Sequence, residues 1–435
     1  MSFRTKFLIV MASAAVALYA VIGGWLAARA QQPINDAGAQ LRIFDSVLQH
    51  IQNDYVDEPN LEKVRAGALR GLAYGLDPYS SYLTPEQVKN YQAKKTTGQV
   101  GIGAEVSQVS SYLYVIAPIK GSPAEKAGLK ANDVIEYIEN RATRDISLYD
   151  ARQLLLGEAG TKVKLRVLRS GSKPQTIEVT RGTFKTPESE VRVEPNGKIG
   201  IIKVNSLDEG EANDIRAHLQ DLQKQAVSKV VLDLRGVAGG SLNEAVNITN
   251  FFIKDGTLAQ TIGRENRTVK NFAADSSKAF WNGQVAVLID LGTAGAAEVL
   301  AGAILDRGRG EVVGERSFGA GTEQQLFTLR DGDGLLLTTV KWASAGGKPF
   351  LGDKRENSGV KPSVEVKRPE TPEPLDPEDL ADSSNDPNAQ PTPEASPTPK
   401  PPAPDQQPKT AEDVQLKKAL EMLRNENANA AQKAV

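Results

Sequence analysis

Val285-Ala286-Val287-Leu288-Ile289-Asp290-Leu291-Gly292-Thr293-Ala294-Gly295-Ala296-Ala297-Glu298-Val299-Leu300 passes from an apolar run, through a turn of small residues, into an alanine-rich stretch. An apolar, β-branched run bounded by glycine reads as a buried strand, and Ala296–Leu305 as the helix that follows it. Upstream, Ile199–Val204 and Lys229–Leu234 are two further strands of this kind, flanking a helical stripe of Ala212, Ile215, Leu219 and Leu222. Strands and helices in alternation predict an α/β core over residues 184–366.

Outward from that core the pattern changes. In 98–183, β-like runs at Tyr112–Ile116, Asp133–Ile138, Lys162–Leu168 and Thr176–Thr180 are interrupted by helix-like stretches at Pro123–Ala127 and Leu148–Leu156, which predicts a compact β-rich module. Within 31–97, Ile43, Val47 and Ile51 recur at helical spacing, and Leu61, Val64, Ala68 and Leu69 mark a second helix. Leu76–Leu83 reads as a polar break, and Thr84-Pro85-Glu86-Gln87 as an N-cap with proline in the first turn.

Residues 1–30 place Arg4 and Lys6 before an apolar stretch from Phe7 to Ala28, then Ala28-Arg29-Ala30. This is the layout of a signal peptide or signal anchor. It predicts export to the periplasm or cell envelope, with the segment either cleaved or held in the inner membrane by residues 7–28. At the other end, 367–409 reads as a disordered Pro-rich linker: Pro369 to Pro408 holds 13 of the 24 prolines, with too little apolar surface to offset the chain entropy. The cap-like Thr410-Ala411-Glu412-Asp413 and the apolar Val414, Leu416, Leu420 and Leu423 predict a short helix in 410–435. The fold expected is multidomain, α/β in its core and α+β as a whole.

At 435 residues the chain exceeds one ordinary domain. A net charge of −2 provides no basic field, so nucleic acid is not an expected partner. The absence of cysteine excludes disulfides, thiolate metal sites and a cysteine nucleophile. His50 and His218 are the only histidines and stand far apart, which excludes an HExxH zinc site and argues against a Ser-His-Asp triad, so any hydrolysis would have to work without imidazole. No metal and no cofactor are expected.

From Leu41 to Val366 a series of motifs resembles the carboxy-terminal processing peptidases, the tail-specific proteases that carry a PDZ domain and a serine/lysine dyad. Leu76–Pro85 is similar to the family's segment ahead of the PDZ domain. Gly121-Ser122-Pro123-Ala124-Glu125-Lys126-Ala127-Gly128-Leu129 with Asp133-Val134-Ile135 resembles the PDZ signature of exported proteases. Leu232-Asp233-Leu234-Arg235 with Gly239-Gly240, and Phe318-Gly319-Ala320-Gly321 with Gln324, resemble loops of the protease core. The resemblance implies a PDZ domain at 98–183 and a ClpP/crotonase-like peptidase core at 184–366.

Gly101-Ile102-Gly103-Ala104 then reads as a carboxylate-binding loop, in which small residues let successive backbone N–H groups converge on a peptide's C-terminus. The helix Leu148–Leu156 would form the other wall, with Ala151 and Leu155 as candidates for the apolar pocket. A lone Gly-x-Gly is ordinarily only a tight turn, and here the flanking signature favours the loop.

The dyad is where the resemblance breaks. The family delivers a segment like GSASASE, whose second serine attacks the peptide carbonyl, and a buried, neutral lysine takes its proton. This chain aligns without a gap and has Gly295 at the serine and Ala320 at the lysine. Gln324 keeps the position of the family's glutamine. Gly236-Val237-Ala238 replaces an Asn-Asn-Pro-like run, and Ala297 replaces a further serine. Gly240 and Ala296 are the candidate N–H donors of an oxyanion hole. Thr293 and Ser317 are the neighbouring hydroxyls, and neither has a base in its motif.

Three readings stay open. The first is a pseudoprotease that binds protein or peptide C-termini as scaffold, chaperone or competitor of an active protease relative. The second is an active serine-type endopeptidase cleaving near substrate C-termini. The third is a structural envelope protein. The empty dyad favours the first over the second. Family resemblance further implies a homodimer formed through terminal helices, and membrane contact only through the N-terminal segment.

Overall fold

A computed structural model describes residues 37–93, 100–196, 198–369, 375 and 412–432, with scattered positions between 3 and 19. Most of the expected leader and most of the Pro-rich linker lie outside the described residues. The chain forms two compact units, Met1–Ala68 and Leu69–Val435. The helix Ala37–Asp54 buries none of its residues, and Leu41 and Val47 are exposed. Among the described residues no helix is long and apolar enough to cross a membrane.

The α/β core is built on a six-stranded sheet, in the order Val364–Glu365, Glu311–Gly314, Gln284–Ile289, Lys229–Asp233, Ile199–Lys203, Glu190–Glu194. The first five run parallel, and Glu190–Glu194 closes one edge antiparallel. Both faces of a parallel sheet must be covered, and the pleat sends alternate residues to opposite sides. Val230, Leu232, Val285 and Val287 face the helices Glu211–Lys224, Leu242–Asn250 and Ala296–Asp306. Val231, Ala286, Leu288 and Val313 face the other way, onto Ala419 and Leu423 of the C-terminal helix Val414–Gln432.

That helix is also fixed by polar contacts. Lys229 donates to the Leu423 carbonyl at 2.6 Å, and Arg235 meets both carboxylate oxygens of Asp413 at 2.7 and 2.8 Å. The sequence predicts the helix; the structure shows it to be one layer of the core.

A second sheet runs Ser81–Leu83, Gly334–Ala343, Thr257–Ile262, Thr268–Ala273, with Thr322–Thr328 also pairing to Gly334–Ala343. Part of the expected polar break is therefore a buried strand, Ser81–Leu83, paired to residues 334–336. Asp77 organises the turn before it by accepting from the Tyr79 and Ser80 N–H groups.

The β-rich module has its own five-strand path, Ala104–Val109, Tyr112–Pro118, Val134–Ile138, Lys162–Leu168, Gln175–Thr180, and the helices Pro123–Lys126 and Leu148–Leu155. Its core centres on Ile102, Leu113, Val115, Ile135, Leu148, Ala151 and Val163.

Candidate functional site

Three loops leave the C-terminal ends of adjacent parallel strands, the usual position of a crevice in an α/β sheet. They follow Lys229–Asp233, Gln284–Ile289 and Glu311–Gly314, and they carry Gly240, Gly295 and Ala320 respectively. Backbone bonds join them: Ala294 N–H to the Val237 carbonyl, Phe318 N–H to that of Thr293, and Ala296 N–H to that of Gly239 at 3.3 Å. The structure thus brings the loops of Gly240, Gly295, Ala296 and Ala320 together, the positions to which the family resemblance points.

Gly295 sits at φ 62, ψ −116, immediately before the helix Ala296–Asp306. A side chain is strained in that backbone region. Space is not the obstacle, since an added Cβ would lie 3.5 Å from the Gly239 carbonyl oxygen, an ordinary contact. Ala320 is buried in an apolar cluster with Tyr112, Tyr114, Ile116, Val134, Ala294 and Phe318. The first three belong to the module's strand Tyr112–Pro118, so the β-rich module covers Ala320.

Glu298, one turn into the helix, is the residue whose part sequence reasoning missed. Its fully buried carboxylate accepts from Gly295 N–H at 2.9 Å, Ala320 N–H at 2.8 Å, Gly319 N–H at 2.7 Å and the Ser317 hydroxyl at 2.5 Å. It therefore ties the loop of Gly295 to the loop of Gly319 and Ala320. Burial pushes this carboxyl up to about 7 against four hydrogen bonds that pull it down. The only sequence sign was a glutamate at the third position of an alanine-rich helix, where a capping side chain reaches back.

The neighbouring hydroxyls have structural work. Thr293 is buried, donates to the Leu234 carbonyl at 3.0 Å and accepts from Asp290 N–H at 2.9 Å. Ser317 is equally buried, donates to Glu298 and accepts from Val360 N–H at 2.7 Å. Gln324 donates to Thr322 and Thr338. Arg355 stacks on Phe318 at 4.4 Å, and burial lowers its guanidinium to about 10. Of the oxyanion candidates, Ala296 has its N–H on Gly239, while Gly240 is exposed.

The second assembly of candidate residues lies in the β-rich module. A cavity of about 540 Å³ is lined by Gly101, Ile102, Gly103, Ala104, Leu148 and Leu155 on the module's side, and by Tyr79, Tyr91, Gln324 and Leu336 opposite. Among the described residues no acceptor meets the Ile102 or Gly103 N–H, so two donors stand ready at its edge. Gly103 has φ 73, and a Cβ there would come within 2.5 Å of Phe184 and Ser122 side-chain atoms. Ala151 is not part of the lining. It is fully buried in the module's core, and Arg152, the next residue, faces the cavity and donates to the Val106 carbonyl at 3.0 Å.

A further cavity of about 440 Å³ shares Glu105, Ile119 and Phe184 with the first and reaches Gly236, Ala238 and Gly240. The two cavities therefore adjoin along Glu105, Ile119 and Phe184. Among the described residues no group of three His, Asp or Glu side chains could hold a metal.

Comparison with known proteins matches residues 198–366 to the model of peptidase family S41 and residues 114–169 to that of the PDZ domain. The chain is 31% identical over 369 residues to the carboxy-terminal processing protease CtpA of Bacillus subtilis (strain 168), covering 84% of this chain and 77% of that one. It is 32% identical over 336 residues to the carboxy-terminal-processing protease of Bartonella bacilliformis, covering 76% of each. Among solved structures it is similar to a photosystem II D1 C-terminal processing protease, with TM-score 0.63 and 28% identity, over 74% of this chain and 86% of that one.

Proposed function

The chain belongs to the carboxy-terminal processing proteases of peptidase family S41, and from that premise we propose that it is a member without proteolytic activity, exported from the cytoplasm, that binds protein C-termini through its PDZ domain. The observation that carries this reading is Gly295 beside Ala320. A glycine has no atom to attack a carbonyl, and an alanine has no base to receive a proton.

The nearby hydroxyls do not fill the gap, because Thr293 and Ser317 are buried and have both a donor and an acceptor already. The loop Gly101–Ala104 keeps what carboxylate capture needs: N–H groups without internal partners beside an apolar cavity.

The decisive assay incubates the full chain with an unfolded reporter that ends in a free apolar C-terminus, read by mass spectrometry. The reporter should stay intact. Cleavage that follows the protein through purification, and disappears with Thr293→Ala or Ser317→Ala, would overturn the reading. Export rests on Arg4 and Lys6 before the apolar stretch Phe7–Ala28. A reporter enzyme that works only in the cytoplasm should be silent when fused after Thr410, and strong activity there would refute export.

A further inference from the structure

Leu375 is the one described residue between Pro369 and Glu412, and it is half-buried. It packs on the apolar cluster of Tyr112, Tyr114, Ala294, Phe318 and Ala320. Its carbonyl accepts from the Tyr114 hydroxyl at 2.9 Å. Three parts of the chain meet there: a PDZ strand, the loop where relatives keep a lysine, and the tail. An alanine at 320 leaves apolar surface where an amine would otherwise stand, and covering that surface favours a leucine side chain.

Charge points to the same occupant. The Arg355 guanidinium stacks on Phe318 and donates to the Phe318 carbonyl, while Arg316 donates to the Ser358 carbonyl at 3.0 Å. Among the described residues neither meets a carboxylate. Glu298, whose charge acts on Arg355, has both oxygens engaged by other donors. In the sequence Leu375 stands between Glu373 and Asp376, with Glu370, Glu378 and Asp379 farther out. A leucine set among acids complements an apolar patch set beside two arginines.

We propose that the emptied cleft is a binding site for an acidic, leucine-centred peptide segment, and that the chain's own Leu375 fills it, fastening the PDZ strand Tyr112–Pro118 to the peptidase-like core. The tether is short. Arg368 is ion-paired to Asp290 at 2.6 Å, and Leu375 follows seven residues later, so the segment is held at high effective concentration. This site is separate from the carboxylate loop and does not depend on peptide binding there.

The chain has no cysteine, so Leu375→Cys creates a single thiol in the full-length protein. Its alkylation by a maleimide should be about 5-fold slower than that of Val56→Cys, because shielding slows thiol chemistry; Val56 is 88% exposed. Adding Tyr114→Phe, which removes one hydroxyl, should return most of the lost rate, and so should Arg355→Gln. A thiol at 375 that reacts as fast as the one at 56 overturns the proposal. A slow thiol that neither added substitution releases overturns it too, since the shelter would then have another origin.

Discussion

The glycine loop Gly101–Ala104 of the PDZ domain and the cleft around Gly295 and Ala320 both gather small residues and backbone N–H groups, and most of those groups end in opposite states. At Gly101–Ala104 the Ile102 and Gly103 N–H groups find no acceptor within the described chain, and a cavity opens beside them. In the cleft, the Gly295, Gly319 and Ala320 N–H groups all end on Glu298, and that of Ala296 ends on Gly239. A glycine-rich loop can receive an external anion only where the fold leaves its donors unfilled. The PDZ loop is open in that sense, whereas the cleft carries its own carboxylate on three of its N–H groups and leaves, among the described residues, only that of Gly240 of the two oxyanion candidates without an acceptor.

The sharpest way to break this contrast is to rebuild the dyad. The wild-type chain should show no peptidase activity, and Gly295→Ser or Ala320→Lys alone should remain silent, because nucleophile and base act as a unit whose loss costs about 10⁶-fold in a well-studied serine protease. Only the double substitution is expected to give cleavage measurable by mass spectrometry. Activity in either single variant equal to that of the double would show that a hydroxyl or base already present is at work.

A second, smaller effect tests the internal carboxylate. Glu298 holds its proton more tightly folded, at about 7, than in the unfolded chain near 4.5. Its contribution to stability is therefore most favourable below the unfolded value and is lost as pH rises through about 7, a change on the order of 3 kcal/mol. Glu298→Gln cannot ionise, so its unfolding free energy should vary less between pH 5 and 7 than that of the wild type. Identical pH profiles by urea denaturation would remove Glu298 from the account.

Turning to the PDZ side, peptides with a free apolar C-terminus should bind more tightly than the same peptides amidated. The loss of one charge-assisted contact is worth about 1.5–3 kcal/mol. Equal affinities in fluorescence polarisation would put the two loops on the same footing and end the contrast.

The smallest expected effect is that of Gly295→Ala. The site has room for a Cβ, yet φ is 62, so the variant should lose about 1–2 kcal/mol from backbone strain alone. No loss in thermal unfolding would show that the turn relaxes freely. A loss well above that range would show that the room is not real.

Much of this was legible in the sequence because the signals are local. The strand before Gly292 and the helix after Gly295 are written in consecutive residues, and the structure returns them as Gln284–Ile289 and Ala296–Asp306. Four of the PDZ strands were equally plain as short β-branched runs, whereas Ala104–Val109, joined to the next strand through Ser110-Ser111, was not marked as one. The second sheet was not, since Ser81–Leu83 finds its partner some 250 residues away at 334–336, and pairing at that separation leaves no periodic trace. The helix Leu148–Leu155 shows a different limit. Its apolar spacing marks an inward face, but cannot tell that Leu155 lines a cavity whereas Ala151 packs inside the core. Glu298 was hidden for a third reason, because a buried acid is recognised only through donors that arrive from a loop about twenty residues later.

The C-terminal helix has a consequence for how this protein is made. The face formed by Ile201, Val231, Leu288 and Val313 is complete in sequence before Val366, but its cover, Ala419 and Leu423, is synthesised more than fifty residues later. At about 5–20 residues per second a ribosome leaves that apolar face bare for several seconds. A chain cut before Val414 would leave that apolar face bare to water.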